Sequence, residues 1–248
     1  MAHAVLQDRI GRNPADRVKP PKVVRPQMKA LDAGELSRLL EAAKGTRLHM
    51  AIVLAATAGL RRGEVTALRW QDVDLQAGTL VVRQALEKTH ATGLKFKPTK
   101  TEKARVVSLL PLTVDALRDR RLEQARQRKL VGLALRNEDL VCSEPDGSPL
   151  DPDVVTKGFQ YLCTRLPGLP RIRFHDLRHT YASLLLHLGV PVKDVSELLG
   201  HSTATLTLNT YGHVLPGARQ EAARRLQAAI EEAAHCGELP EPDQPLPN

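Results

Sequence analysis

A phenol is a poor nucleophile near neutral pH, because its ordinary pKa is about 10, so chemistry at tyrosine needs neighbouring cations and a partner for the proton. Groups of that kind occur in a suggestive order along this chain. Tyr211 lies ten positions after His201, in the run Leu198-Leu199-Gly200-His201 to Thr210-Tyr211-Gly212-His213. Upstream stands His175-Asp176-Leu177-Arg178-His179-Thr180. Earlier still are Arg61, in Gly59-Leu60-Arg61-Arg62-Gly63-Glu64, and a group of lysines, Lys95, Lys97, Lys100 and Lys103. Read together, these residues suggest a tyrosine that attacks phosphate.

Each has a plainer reading when taken alone. An exposed arginine is far more often a solvated surface charge, and one of nine histidines is more often a cap or a packed ring than a catalyst. Lys100 could be a surface lysine that only contacts phosphate, and Tyr211 a phenol anchoring a helix near a glycine. His179, His187 and His213 are assigned packing or capping. The joint order and spacing decide for chemistry over these alternatives.

The elements that must position the set are legible from pattern. A fold begins at Leu31-Asp32-Ala33-Gly34-Glu35, where Asp32 can cap a helix and Glu35 sits at the capping-box position before Leu36, Leu39 and Leu40. A second helix, about His49 to Ala58, is apolar almost all round and stops at Gly59, which predicts buried core. A short helix with Val65 and Leu68 three apart follows, so Arg61 falls at a turn between packed helices. Thr79 to Val82 and Arg105 to Leu109 read as strands flanking a loop that carries the four lysines, and a small antiparallel sheet is the economical arrangement. Thr113 to about Leu135 reads as a long charged helix, Asp151-Pro152 starts another, and His175 to Leu188 forms a third ending at Gly189. Short helices are expected over Pro191 to Leu199 and Thr203 to about Thr210. A last helix, roughly Ala218 to Ala234, carries the stripe Ala222, Leu226, Ile230 and Ala233.

Composition sets the limits. A chain of 248 residues can bury a substantial core. Its 36 Lys and Arg outweigh 28 Asp and Glu, for a formal charge of +8, which favours a polyanionic partner. Cys142, Cys163 and Cys236 are widely spaced, without a Cys-x-x-Cys, so neither a disulfide framework nor a zinc site is indicated. No run of about 18 apolar residues would span a bilayer, and the start lacks the regions of a signal peptide. A cytoplasmic protein is expected.

In their order these motifs resemble the tyrosine site-specific recombinases, the phage integrase family. Gly59 to Glu64 is similar to the family's first arginine box, Lys100 to Val107 to its β-hairpin lysine, and His175 to Arg178 to its His-x-x-Arg box; Leu199-Gly200-His201 and Thr210-Tyr211 complete the set. Ser108 stands where the family commonly has proline. The resemblance implies an α+β, mainly α-helical fold of the DNA breaking-rejoining type with a small antiparallel sheet. It also implies three regions: residues 1–30 as a remnant of a core-binding domain and linker, with Asn13-Pro14-Ala15-Asp16 similar to that domain's end; 31–236 as the catalytic domain; and 237–248 as a disordered, Pro-rich acidic tail.

The resemblance also implies roles. Arg61 and Arg178 would hold the two non-bridging oxygens of a DNA phosphate, since a guanidinium fork makes charge-assisted bonds that strengthen as the transition state gathers charge. His175 could act as general acid-base, three residues before Arg178 on one face of a helix start. His201 could bond the same phosphate or assist the leaving oxygen, and Lys100 would protonate the departing 5′ oxygen. Tyr211 would attack in line and leave a covalent 3′-phosphotyrosyl bond, in type IB topoisomerase-like chemistry that calls for neither cofactor nor metal; Glu64 would orient Arg61 or the histidines. Expected partners are double-stranded DNA, further copies in a synaptic tetramer, and accessory directionality or DNA-bending proteins, with no membrane. The resemblance implies that the protein would be nucleoid-associated when on DNA. Two rivals stay open: a non-catalytic helix-turn-helix-like DNA-binding regulator built on Leu188 to Asn209, and a truncated, inactive integrase remnant.

Overall fold

The computed structural model describes residues 5–7, 9, 11–13, 18, 29–89, 91, 93–98, 104–200, 204–211, 224, 227, 228 and 231. The stripe Ala222, Leu226, Ile230 and Ala233 of the expected last helix, the linker prolines and the 237–248 tail lie outside the described residues. What is described is α+β and mainly helical, as the sequence implies.

Helix α1 (Ala33–Ala43) starts on a capping box in which the Asp32 carboxylate accepts from the Glu35 N–H at 2.7 Å and Glu35 accepts from the Asp32 N–H at 2.9 Å. Its buried residues, Leu36, Leu39 and Ala43, form one stripe. Helix α2 (His49–Thr57) is buried at every position after His49. After His49 its one polar side chain is Thr57, whose hydroxyl donates to the Val53 carbonyl at 2.7 Å, so the rest of the helix can lie inside. It packs against α1, α3 (Arg62–Ala67), α4 (Pro111–Leu130) and α6 (Asp176–His187), and is the axis of the main core. Helix α4 ends at Leu130, earlier than its charge pattern predicts. Val131 caps it, and Gly132 at φ +73° turns the chain away. Helix α5 (Pro152–Thr164) opens on Asp151, which accepts from the Asp153 N–H at 2.8 Å, and sends Phe159 edge-on against Phe174 with ring centroids 5.5 Å apart.

Two small antiparallel sheets replace the single one expected. Strands β1 (Val73–Asp74), β2 (Thr79–Val82) and β5 (Arg105–Ser108) form the first, with Leu80 opposite Val107 and Val82 opposite Arg105. Between β2 and β5 a separate hairpin is inserted, β3 (Gln84–Thr89) on β4 (Gly93–Pro98). Lys95 and Lys97 therefore sit on a strand and not in a loop. The hairpin escapes a reading by pattern because only Leu86 of its twelve strand residues is buried, and its anchor is α3 rather than a sheet face. A Cβ added at Gly63 of α3 would stand 2.7 Å from the Leu86 carbonyl, so this contact requires glycine.

Helices α6, α7 (Val192–Leu199) and α8 (Ala204–Tyr211) gather a second, smaller apolar cluster of Ala182, Leu186, Val195, Leu199 and Tyr211. It lies beside the turn that follows α2. A Cβ on Gly59, which adopts φ +62°, would meet the Tyr181 ring at 2.6 Å and Leu199 at 3.1 Å. Only glycine can hold this conformation and this contact together.

Candidate active site

Arg178 sits in the first turn of α6 and is 2% exposed. One guanidinium nitrogen donates to the Gly59 carbonyl at 2.5 Å, and the other donates to the Leu199 carbonyl. A single side chain thus ties the turn before Arg61 to the end of α7. Burial and the neighbouring charge of Arg61 push its pKa down, to about 9, which leaves it protonated at neutral pH. Two of its five N–H donors are engaged by these carbonyls, and the other three have no partner among the described residues.

Arg61 holds extended backbone just before α3, because its own N–H donates to the carboxylate of Glu64, three residues on, at 2.8 Å. Its guanidinium donates to Glu64 at 2.9 Å and to the Gly200 carbonyl at 3.4 Å, while 42% of the side chain stays exposed. Glu64 is 3% exposed and carries a second load: Arg105 on β5 grips both its oxygens, at 2.9 and 2.7 Å. Burial alone pushes this carboxyl up, but the Arg105 hydrogen bonds and charge, with help from Arg61, bring it down to about 2. Gly200, at φ +65°, lies directly over Arg105, whose Cδ would be 2.8 Å from an added Cβ. Two guanidinium groups, of Arg61 and Arg105, therefore share one carboxylate, and the third, of Arg178, has no carboxylate partner among the described residues.

His175 caps the start of α6 beside Arg178. Its ring reaches the surface, yet the protein packed behind it lowers its pKa, and the Arg178 charge adds to this. One turn on, His179 meets the His175 ring edge-on at 5.0 Å. Tyr211, the last residue of α8, is 2% exposed and its hydroxyl lies 2.6 Å from His179 Nδ1. Burial raises the phenol pKa to about 12, opposed only in part by the Arg178 charge, and burial followed by the His175 charge lowers the His179 ring to about 4.

The structure therefore brings Arg61, Glu64, His175, Arg178 and Tyr211 together where the start of α3, the start of α6 and the end of α8 meet. Lys100 and His201 lie outside the described residues. Two members were missed from sequence. The sequence assigns His179 to packing or capping, but its ring holds the phenol; its spacing of four from His175, which puts both on one helix face, is the available signal. Arg105 was noted only as part of a motif. It shares the inward face of β5 with buried Val107, while Val106 and Ser108 point outward, and a charge on the inward face of a strand needs a buried partner.

The family model described as "Phage integrase family" matches residues 29–217. The chain belongs to the phage integrase family. This integrase-family chain is 29% identical over 242 residues to a XerC-like tyrosine recombinase of Caldanaerobacter subterraneus subsp. tengcongensis, a match covering 90% of the chain and 62% of that protein. It is 26% identical over 275 residues to an integrase of Saccharopolyspora erythraea, with the same two coverages. The chain thus spans about 62% of the length of these relatives. Its fold is shared with the Tn1549 transposon integrase solved in complex with transposon right-end DNA, at a TM-score of 0.70 and 23% identity, over 90% of this chain and 75% of that one. Among the described residues no helix is long and apolar enough to cross a membrane, and no group of three or more His, Cys, Asp or Glu could hold a metal ion.

Proposed function

We propose that this chain carries out site-specific DNA recombination or integration, cutting and rejoining a strand through a covalent 3′-phosphotyrosyl intermediate, with residues 31–236 as the catalytic domain. The observation that carries the reading is the cluster in which Arg61, Arg105 and Arg178 outnumber Glu64, next to the buried Tyr211 phenol. An excess of positive charge held in place by packing is an anion site, and a phosphodiester is the anion a nearby phenol could attack.

In this scheme Arg61 and the free N–H groups of Arg178 bind the non-bridging oxygens, and Glu64 keeps the Arg61 fork turned to the cluster. Tyr211 Oη forms a bond to phosphorus and gives up its proton, the bond from phosphorus to the 5′ oxygen breaks, and Lys100 protonates that oxygen. His175 and His201 assist as donors to the phosphate. Attack by a 5′ hydroxyl of another strand reverses the steps, and the phosphodiester energy is conserved in the protein–DNA bond. The partner is double-stranded DNA, and recombination calls for self-association into a synaptic tetramer, assisted by directionality or DNA-bending proteins. The structures of integrases solved with DNA support this partner by analogy of fold.

The test uses nicked duplex substrates, drawn from the DNA that borders the coding sequence in its genome, followed by denaturing electrophoresis. A DNA-linked species is expected from the native chain and none from Tyr211→Phe. If both give retarded but never covalent complexes, a DNA-binding regulator or an inactive remnant replaces the proposal.

A further inference from the structure

The contact between His179 and Tyr211 has no part in the scheme above. It is the only hydrogen bond of the Tyr211 hydroxyl among the described residues, at 2.6 Å, and the two rings lie with centroids 5.6 Å apart, tilted by 57°. Both partners are held by their own packing. Tyr211 belongs to the small apolar cluster with Ala182, Leu186, Val195 and Leu199, and His179 is wedged on α6 between that phenol and the His175 ring. A phenol O–H is the stronger acid of the two and an imidazole nitrogen the stronger base, so the favoured arrangement has Tyr211 Oη–H donating to an unprotonated Nδ1.

We infer that His179 is a further catalytic residue of this site: it orients the Tyr211 hydroxyl and takes up its proton on Nδ1 as Oη bonds to phosphorus. The inference rests on the strand-transfer reading given above. The balance is simple. The Oη–H bond breaks and Nδ1–H forms, while Oη–P forms and P–O5′ breaks, with the 5′ oxygen protonated separately by Lys100. On rejoining, the imidazolium returns the proton to Oη.

The resting site opposes this transfer. Burial followed by the His175 charge holds the His179 ring at about 4, and burial holds the phenol at about 12, so in the free protein the proton stays on oxygen. Entry of a DNA phosphate beside Arg178 places a negative charge near the ring, which raises its affinity for a proton, and bonding to phosphorus makes the phenol a stronger acid. Activation of the nucleophile is thereby coupled to the presence of substrate.

Two measurements on the full chain test this. Without DNA, nitrogen-15 NMR of the histidine side chains should find His179 neutral at pH 7 with its proton on Nε2, and Tyr211→Phe should shift its Nδ1 signal. A proton on Nδ1 would make the phenol oxygen the acceptor and overturn the inference. With the nicked duplex substrates, His179→Asn keeps an acceptor near Nδ1 but cannot take a proton at neutral pH. It should slow adduct formation on the order of 10²–10⁴-fold at saturating DNA, with affinity for DNA unchanged. Replacing Tyr211 by 3,5-difluorotyrosine, a more acidic phenol, should recover much of that rate in the His179→Asn background. A 5′-bridging phosphorothiolate, whose sulfur leaves without needing a proton, should rescue Lys100→Ala and leave His179→Asn slow. Undiminished cleavage by His179→Asn, or its rescue by the phosphorothiolate, would sink the inference alone. No adduct from the native chain on any substrate would sink the strand-transfer reading and the inference with it.

Discussion

Leu54 and Arg178 are buried almost equally, at 0% and 2% exposure, yet their surroundings have little in common. Around Leu54 the four neighbours of α2 supply apolar side chains, and burial itself is the stabilising force. Around Arg178 the second apolar cluster is small, and the space beside it holds three guanidinium groups for one carboxylate. The first region would be as stable with nothing bound. The second carries unbalanced charge that only an anion relieves, so the comparison separates the part of the molecule that maintains the fold from the part kept ready for a ligand.

The comparison breaks if the core also controls binding. Phe159→Ala should lower stability by about 3–5 kcal/mol in chemical denaturation, while the folded fraction binds DNA as the native chain does. A change in DNA affinity per folded molecule would show that the regions are not separable.

Removing the carboxylate sharpens it. Glu64→Gln should lower stability by about 3 kcal/mol, because Arg105 loses its only charge partner among the described residues in a largely buried place. The pH dependence follows in sign. The Glu64 carboxyl is lowered from 4.5 to about 2 by folding, so its stabilisation is complete above about pH 4.5 and is lost as pH falls toward 2. Denaturation curves between pH 5 and 3 should therefore steepen the loss in the native chain relative to Glu64→Gln. Parallel curves would mean that another group carries the acid sensitivity.

The smallest effect concerns the anion. Inorganic phosphate at ten times its Kd should stabilise the native chain by about 1.4 kcal/mol, raising Tm by a few degrees, and Arg61→Ala should reduce that gain. Equal stabilisation of both would indicate a general salt effect.

How much was legible from sequence differs between the same two regions. The α1 capping box, the all-apolar α2 and its stop at Gly59 follow from local rules, and the structure reproduces them. Arg61, His175, Arg178 and Tyr211 stand out by order and spacing, and the fold places them near one another. The β3–β4 hairpin was not found, because its strands face α3 and solvent and so lack an alternating pattern. His179 was passed over because its partner is 32 residues away, and Arg105 because the partner of its charge is 41 residues away. Contacts across such intervals are set by how helices and strands pack, which no local window contains.

The two carbonyls gripped by Arg178 belong to residues 119 and 21 positions earlier and later in the chain, respectively. Until the polypeptide has been synthesised past Leu199, that side chain cannot draw Gly59 and the end of α7 together. A half-made chain emerging from the ribosome therefore lacks the charge cluster, which is assembled only when distant parts of the sequence have packed.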